Sequence, residues 1–151
     1  GYMAFHDPNG KMYAPRDGVE RLLRSRLCAS TPAQHGYLAA LQQDRTWLSE
    51  RVAKIKRRVD LCLSRIDQID GLSCNSPGGA FYLFPKIENA GKFKSDKNFV
   101  LDLLQKEHVL VVHGSGFSPL HGSGHFRMVA LAPEEILNEA FDRIERFMRS
   151  V

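Results

Sequence analysis

The sequence predicts an α+β fold in two layers, a small three-stranded sheet with helices packed on it and a long helix before it. Short β-branched or aromatic runs at 80–84, 109–112 and 125–131, separated by turn residues, predict the strands. An amphipathic stripe from Asp44 to Asp70 predicts the long helix. From Asp44 onward the order is helix, strand, helix, strand, strand, helix, which suits one sheet covered by helices.

Composition is that of an ordinary globular chain. Its 151 residues are 43% hydrophobic and 25% charged, and the net charge of +4 is too mild to argue for a nucleic-acid partner. The three cysteines form no CxxC pair, so we expect a reduced, cytoplasmic protein. No apolar run is long enough to predict a membrane span. Because the chain opens at Gly1 without an initiating methionine, we expect a piece of a longer protein.

The sequence predicts that residues 1–30 are the remnant of a larger domain. Tyr2–Phe5 is a strand candidate, and Asp17 followed by Glu20 resembles a capping box for a helix that ends near Cys28. The apolar side of that helix carries Val19, Leu22, Leu23 and Leu27. A lone strand and helix cannot bury a core, so this part needs strands from elsewhere.

Residues 31–43 are predicted to form a linker helix, and 44–151 a C-terminal small domain. Thr31 is a suitable N-cap and Pro32 a suitable first helical residue. The long helix would span about 39 Å and end at Gly71. Its stripe consists of Leu48, Val52, Ile55, Val59, Cys62, Ile66 and Ile69.

The remaining elements are predicted from prolines, capping residues and the spacing of apolar residues. Ala80–Phe84 is a strand that Pro85 ends, and Glu88–Lys97 is a loop. Asp96 caps a helix through Lys106, and Pro133 opens the last helix. The inward positions of these two helices are Phe99, Val100, Leu103, Leu104, Ile136, Leu137, Ala140, Ile144, Phe147 and Met148.

Arg127 is the strongest candidate for a binding residue. In a strand it shares a face with Val129 and Leu131, and a guanidinium among apolar neighbours is costly unless it meets an anion. Its planar fork of donors suits a carboxylate or a phosphate. The alternative is an intramolecular Asp or Glu partner, which residue type alone favours.

Other candidate sites carry weaker signals. His108, His113, His121 and His125 match no zinc spacing, so loop hydrogen bonds or exposure are favoured over a metal site. The basic run at 54–58 falls opposite the apolar stripe, which favours a solvated face over a nucleic-acid or membrane surface. The loop His113–Gly124 contains GSG twice but matches no dinucleotide or P-loop motif.

Five segments, in this order and spacing, resemble a known family. They are GYMAF, RLCASTPAQ, PGGAFYLFPKI, EHVLVVHGSGF and GHFRMVALAPEEIL, which begin at residues 1, 26, 77, 107 and 124. Together they resemble the C-terminal part of a fold-type I, pyridoxal-phosphate-dependent aminotransferase, with the alanine aminotransferase subgroup most similar. The resemblance implies the small-domain fold of that family and a homodimeric parent that acts on amino-acid and 2-oxo-acid substrates.

The resemblance also implies roles for individual residues. Arg127 would bind the substrate α-carboxylate. Gly116 and Phe117 lie in the loop that leads toward Arg127, so with the carboxylate at Arg127 this loop would shield it from water. A second reading, in which Phe117 merely fills the small core, is equally consistent with the sequence. The residues that would lie near the dimer interface and the neighbouring active site are Ser30, Thr31 and Gln34.

The family's Schiff-base lysine would fall before Gly1. This chain therefore carries no catalytic residue of its own, and we expect it to be inactive alone and to need a missing N-terminal large domain. No metal is expected. The alternative from another class is a freestanding, non-catalytic binding or interaction domain with the same fold.

Overall fold

The computed structural model describes residues 2–26 and 28–150, which divide into two compact units, Gly1–Arg45 and Thr46–Val151. Among the described residues, no helix is both long and apolar enough to cross a membrane.

The first unit contains helices α1 (Tyr13–Arg24) and α2 (Thr31–Gln42). The predicted strand at Tyr2–Phe5 is wrong, because no described segment pairs with it and a strand needs a neighbour's hydrogen-bond ladder. None of the unit's described residues is buried.

Helix α1 begins one turn earlier and ends earlier than the sequence predicts. The Asp7 carboxylate accepts hydrogen bonds from the Lys11 and Met12 backbone amides at 2.8 and 3.0 Å, and so satisfies donors at the helix start. Asp17 is therefore no cap but lies inside the helix, where it pairs with Arg21 at 2.8 Å. Leu27, on the predicted apolar side, lies outside the described residues.

The second unit contains the helices α3 (Thr46–Asp67), α4 (Asp96–Glu107) and α5 (Glu134–Arg149). Two predicted inward positions are wrong, since Leu104 and Ile136 are exposed. On α3 the stripe is buried only in its second half, at Val59, Cys62 and Ile66, whereas Leu48 and Val52 are exposed.

The main sheet has three antiparallel strands in the order β2-β5-β4, which confirms the predicted fold class. They are β2 (Tyr82–Leu83), β4 (Val112–His113) and β5 (Phe126–Val129). Each is shorter than its apolar run. A separate antiparallel pair, β1 (Leu72–Ser73) with β3 (Lys86–Ile87), was not predicted, because two-residue strands show no periodicity.

The inner face of the main sheet builds the core against the helices. Leu83, Phe126 and Met128 are buried, and the Phe126 ring stacks on Phe99 of α4 with 5.3 Å between centroids. Fully burying one such side chain stabilises the fold by about 1.5–3 kcal/mol. With this face committed to the core, the opposite face of the sheet is the one open to a ligand.

Candidate functional site

Strand β5 presents Arg127 on the outer face of the main sheet. Its neighbours Phe126 and Met128 point into the core, so alternation turns Arg127 and Val129 the other way. Val112 lies directly opposite Arg127, and Tyr82 lies opposite Val129. This register makes Tyr82 a diagonal neighbour of Arg127, within reach of a long side chain.

Two aromatic rings contact the Arg127 guanidinium. Its Cζ lies 4.8 Å from the centroid of the Tyr82 ring and 4.2 Å from that of the Phe117 ring. Both distances are within the range of a cation–π interaction. The rings orient the guanidinium plane without using any of its hydrogen-bond donors.

Those donors have no partner among the described residues. Arg127 Nε is buried without a hydrogen bond, and no described carboxylate forms an ion pair with Arg127. By contrast, Arg146 donates from Nε and Nη2 to Glu107 at 3.0 and 2.8 Å. A buried donor without a partner costs about 1–3 kcal/mol, which an incoming anion would recover.

The surroundings of Arg127 differ in part from those that the sequence predicts. The intramolecular Asp or Glu partner does not appear in the described part of the chain. The predicted apolar surroundings are only half correct, since Val129 and Leu131 are 41% and 44% exposed. The site is an open, partly apolar surface with one oriented cation.

The loop His113–Gly124 supplies Phe117. That side chain is 49% exposed, so the interpretation in which it fills the core is wrong. Its ring meets Phe84 edge to face, with centroids 6.3 Å apart, and Phe84 stacks on His125 at 5.1 Å. The loop thus adds an aromatic wall to the surface around Arg127.

Glycines are required where the loop closes on itself. A Cβ on Gly114 would lie 2.3 Å from the Gly122 carbonyl oxygen, and one on Gly116 would lie 2.9 Å from the His113 ring. His113 Nδ1 accepts a hydrogen bond from the Gly116 amide at 3.2 Å. Gly116 therefore shapes the loop that carries Phe117.

Asp96 anchors the loop His113–Gly124 through Ser115. Its side chain is buried and accepts a hydrogen bond from the Ser115 amide at 2.7 Å. Burial raises the pKa of Asp96, but hydrogen bonds from Ser115 and from its own backbone, together with the nearby His113, outweigh burial and leave the pKa below its ordinary value. The predicted capping role falls to Ser95, which accepts from the Asn98 amide at 3.1 Å.

The other candidate groups fall elsewhere. The described residues contain no cluster of three or more potential metal ligands. In the basic run, Arg58 is not solvated as predicted, because it is partly buried and donates to the Leu131 carbonyl. Ser30, Thr31 and Gln34 lie at the start of α2 in the first unit, all exposed, and Gln34 donates to the Ala29 carbonyl at 2.9 Å.

The sequence interpretation missed Tyr82. The signal was its place in the GGAFYLF run, but only the pairing register shows that it faces Arg127. Phe84 was missed for the same reason.

The group formed by Arg127, Tyr82 and Phe117 suits a carboxylate, but it does not make a complete pyridoxal-phosphate site. The cofactor needs a lysine amine for the Schiff base, and the side chains that contact the Arg127 guanidinium are aromatic. Lys86, on β3, is paired with Glu88 at 2.5 Å. No step through the cofactor is therefore assigned to these residues.

Comparisons with known proteins agree on one family. The profile described as "Aminotransferase class I and II" matches residues 9–144. A glutamate-pyruvate aminotransferase AlaA of Haemophilus influenzae is 37% identical, over 98% of this chain and 37% of its own length. An alanine aminotransferase of Mycobacterium bovis is 31% identical, over 99% of this chain and 35% of its own.

Solved structures show the same similarity in three dimensions. An alanine aminotransferase from Pyrococcus furiosus superposes with a TM-score of 0.90 at 49% identity, over 95% of this chain and 36% of that one. A tyrosine aminotransferase from Leishmania infantum gives a TM-score of 0.85 at 26% identity, over 95% and 35%. The chain therefore spans little more than a third of the length of these proteins.

Proposed function

Because the chain belongs to the class I and II aminotransferase family, we propose that Arg127 binds the α-carboxylate of an amino-acid or 2-oxo-acid substrate. The single observation that carries the proposal is the guanidinium itself. It is oriented by two rings and has no ion-pair partner among the described residues. A bidentate carboxylate is the ligand that suits its geometry best.

Arg127 acts by orientation and does not touch the bond that breaks. A carboxylate held by the guanidinium fixes the substrate Cα relative to the sheet, which removes rotational freedom before reaction. Phe117 and Tyr82 cover apolar parts of the guanidinium and so favour its pairing with an anion. Pyridoxal phosphate, on which enzymes of this family depend, supplies the electron sink when bound.

The finer parts of the proposal concern the complete enzyme. It transfers an amino group between alanine and 2-oxoglutarate, as the names of the relatives suggest. It works as a homodimer in the cytoplasm, with Ser30, Thr31 and Gln34 near the interface. The Schiff-base lysine and the large domain are contributed by polypeptide outside this chain.

The chain alone should have no transaminase activity and form no internal aldimine. The visible spectrum after mixing with pyridoxal phosphate and dialysis tests this expectation. A stoichiometric aldimine band that survives dialysis would contradict it.

The carboxylate site itself is tested by NMR titration. The ¹⁵N-labelled chain is titrated with pyruvate and L-alanine, and the Arg127 Nε–H signal is assigned by its loss in Arg127→Lys. We expect a saturable shift of this signal in the wild type and of the backbone amide signals beside it, and Arg127→Lys should weaken the binding that the amide signals report by about 10-fold or more, as loss of a charged hydrogen bond predicts. Arg149→Lys, at a 78% exposed side chain on α5, is the matched control and should change nothing. Equal shifts in the wild type and Arg127→Lys would refute the assignment.

A further inference from the structure

Asp96 is the one charged side chain that is buried among residues 2–26 and 28–150, with 4% exposure. It opens helix α4 but does not cap it, since Ser95 does so. A negative charge in the first turn suits the helix dipole, but an exposed carboxylate would do so too, and burying a charge is costly. Its position therefore calls for a role outside the helix.

The Asp96 carboxylate reaches out of its helix to the loop that carries Phe117. Oδ2 accepts from the Ser115 amide at 2.7 Å. The Ser115 hydroxyl lies 3.1 Å from His113 Nδ1, which in turn accepts from the Gly116 amide. The loop residues His113, Ser115 and Gly116 are thus joined in one hydrogen-bonded group that includes the Asp96 carboxylate.

Short backbone contacts also restrict the conformation of the loop. Gly114 donates to the His125 carbonyl at 2.8 Å, and Phe117 donates back to the Gly114 carbonyl at 2.9 Å. The backbones of Gly114 and Gly122 approach so closely that a Cβ on either would overlap the other. Ser115 lies between the two ends of the Gly114–Phe117 hydrogen bond, so its contact with Asp96 bears on the turn that carries the Phe117 ring.

From these contacts we infer that Asp96 is a positioning residue for the substrate carboxylate, acting through Ser115 and Phe117 on the Arg127 guanidinium. It touches neither substrate nor Arg127. The inference rests on the proposed function of Arg127, and it extends the site to helix α4, which otherwise belongs to the core. The contact that transmits the effect is the 4.2 Å approach of the guanidinium to the Phe117 ring.

The first test needs no ligand. The Arg127 Nε–H chemical shift reports the ring current of Phe117, so Phe117→Ala should displace it. Asp96→Asn keeps the shape but loses the charge and one strong acceptor, and it should move the signal toward the Phe117→Ala value. Asp102→Asn, on the same helix, is the matched control and should leave the signal in place. Ser115→Ala should give a smaller displacement in the same direction. This variant replaces Asp96→Asn in the test if Asp96→Asn does not fold.

The second test is a double-mutant cycle on pyruvate binding. Asp96→Asn should weaken binding by about two- to fivefold, the worth of an exposed cation–π contact. In the Phe117→Ala background it should cause no further loss, whereas a general loss of stability would act in both backgrounds. An Arg127 signal that neither Asp96→Asn nor Ser115→Ala moves, or additive losses in the cycle, would overturn the inference. If the wild-type chain binds no carboxylate, the proposed function fails, and the ligand-free shifts still decide the role of Asp96.

Discussion

Tyr82 and Arg127 face each other diagonally across the pair β2–β5, with the guanidinium carbon 4.8 Å from the centre of the phenol ring. The contact follows from the register, which pairs Tyr82 with Val129, two residues along the strand from Arg127. Tyr82 is 42% exposed, so packing in the core does not account for its contact with Arg127. The pair is therefore a feature of the site.

Removing the Tyr82 ring should weaken carboxylate binding without unfolding the sheet. Tyr82→Leu keeps an apolar strand residue but loses the cation–π contact, so we expect the dissociation constant for pyruvate to rise about two- to fivefold. Tyr82→Phe keeps the ring and is the matched control. The NMR titration measures both. If Leu and Phe at this position bind equally well, the ring does not orient Arg127.

Phe126→Ala should destabilise the second unit strongly. Its ring is fully buried and stacks on Phe99, and truncating such a side chain costs about 3–5 kcal/mol. Urea unfolding followed by circular dichroism measures the loss. Phe84→Ala, at a 38% exposed position on the outer face, is the control and should cost far less. Similar losses for both would mean that the two faces of the sheet are assigned wrongly.

Stability should depend on Asp96 in a defined pH window. Because its folded pKa lies below the unfolded value of 3.8, the ionised carboxylate stabilises the fold above that value. The contribution is lost as pH falls through the folded pKa. The difference in free energy of unfolding between the wild type and Asp96→Asn should thus be full near neutral pH and shrink in acid. Asp102→Asn should show no such trend. A difference that stays constant from neutral pH into acid would show that the charge of Asp96 is not what stabilises the loop.

Helical periodicity predicted most of the second unit correctly. The second half of the α3 stripe and the inward positions Leu137, Ile144 and Phe147 of α5 are buried as expected, because a 3.6-residue repeat is a local property of the chain. The alternation at β5 likewise placed Arg127 opposite the buried Phe126 and Met128. The candidate residue itself was therefore within reach of the sequence.

What the sequence could not show depends on tertiary pairing. Strands β1 and β3 are two residues each and exist only because they meet. Tyr2–Phe5 has a strand-like composition but no partner strand in the described part of the chain. Tyr82 and Asp96 belong to the site through a register and a loop contact, and neither is encoded by local spacing.

The last prediction concerns association through residues 1–43, which belong to the first unit. Its helices carry large apolar side chains that are 45–72% exposed, namely Leu22, Leu23, Tyr37, Leu38 and Leu41. Apolar surface of this kind on adjacent elements promotes association. We expect light scattering to show dimers or larger species for the whole chain at high concentration.

Two variants separate this cause from others. A chain that begins at Thr46 should be monomeric, because it lacks both helices, and the double variant Leu22→Lys, Leu38→Lys should shift the full chain toward monomer. The matched control, Leu110→Lys, alters a 74% exposed leucine of the second unit and should leave association unchanged. A full chain that is monodisperse and monomeric at high concentration would mean that these side chains are covered in solution. The division of the chain near residue 45 would then not mark the boundary of its stable core.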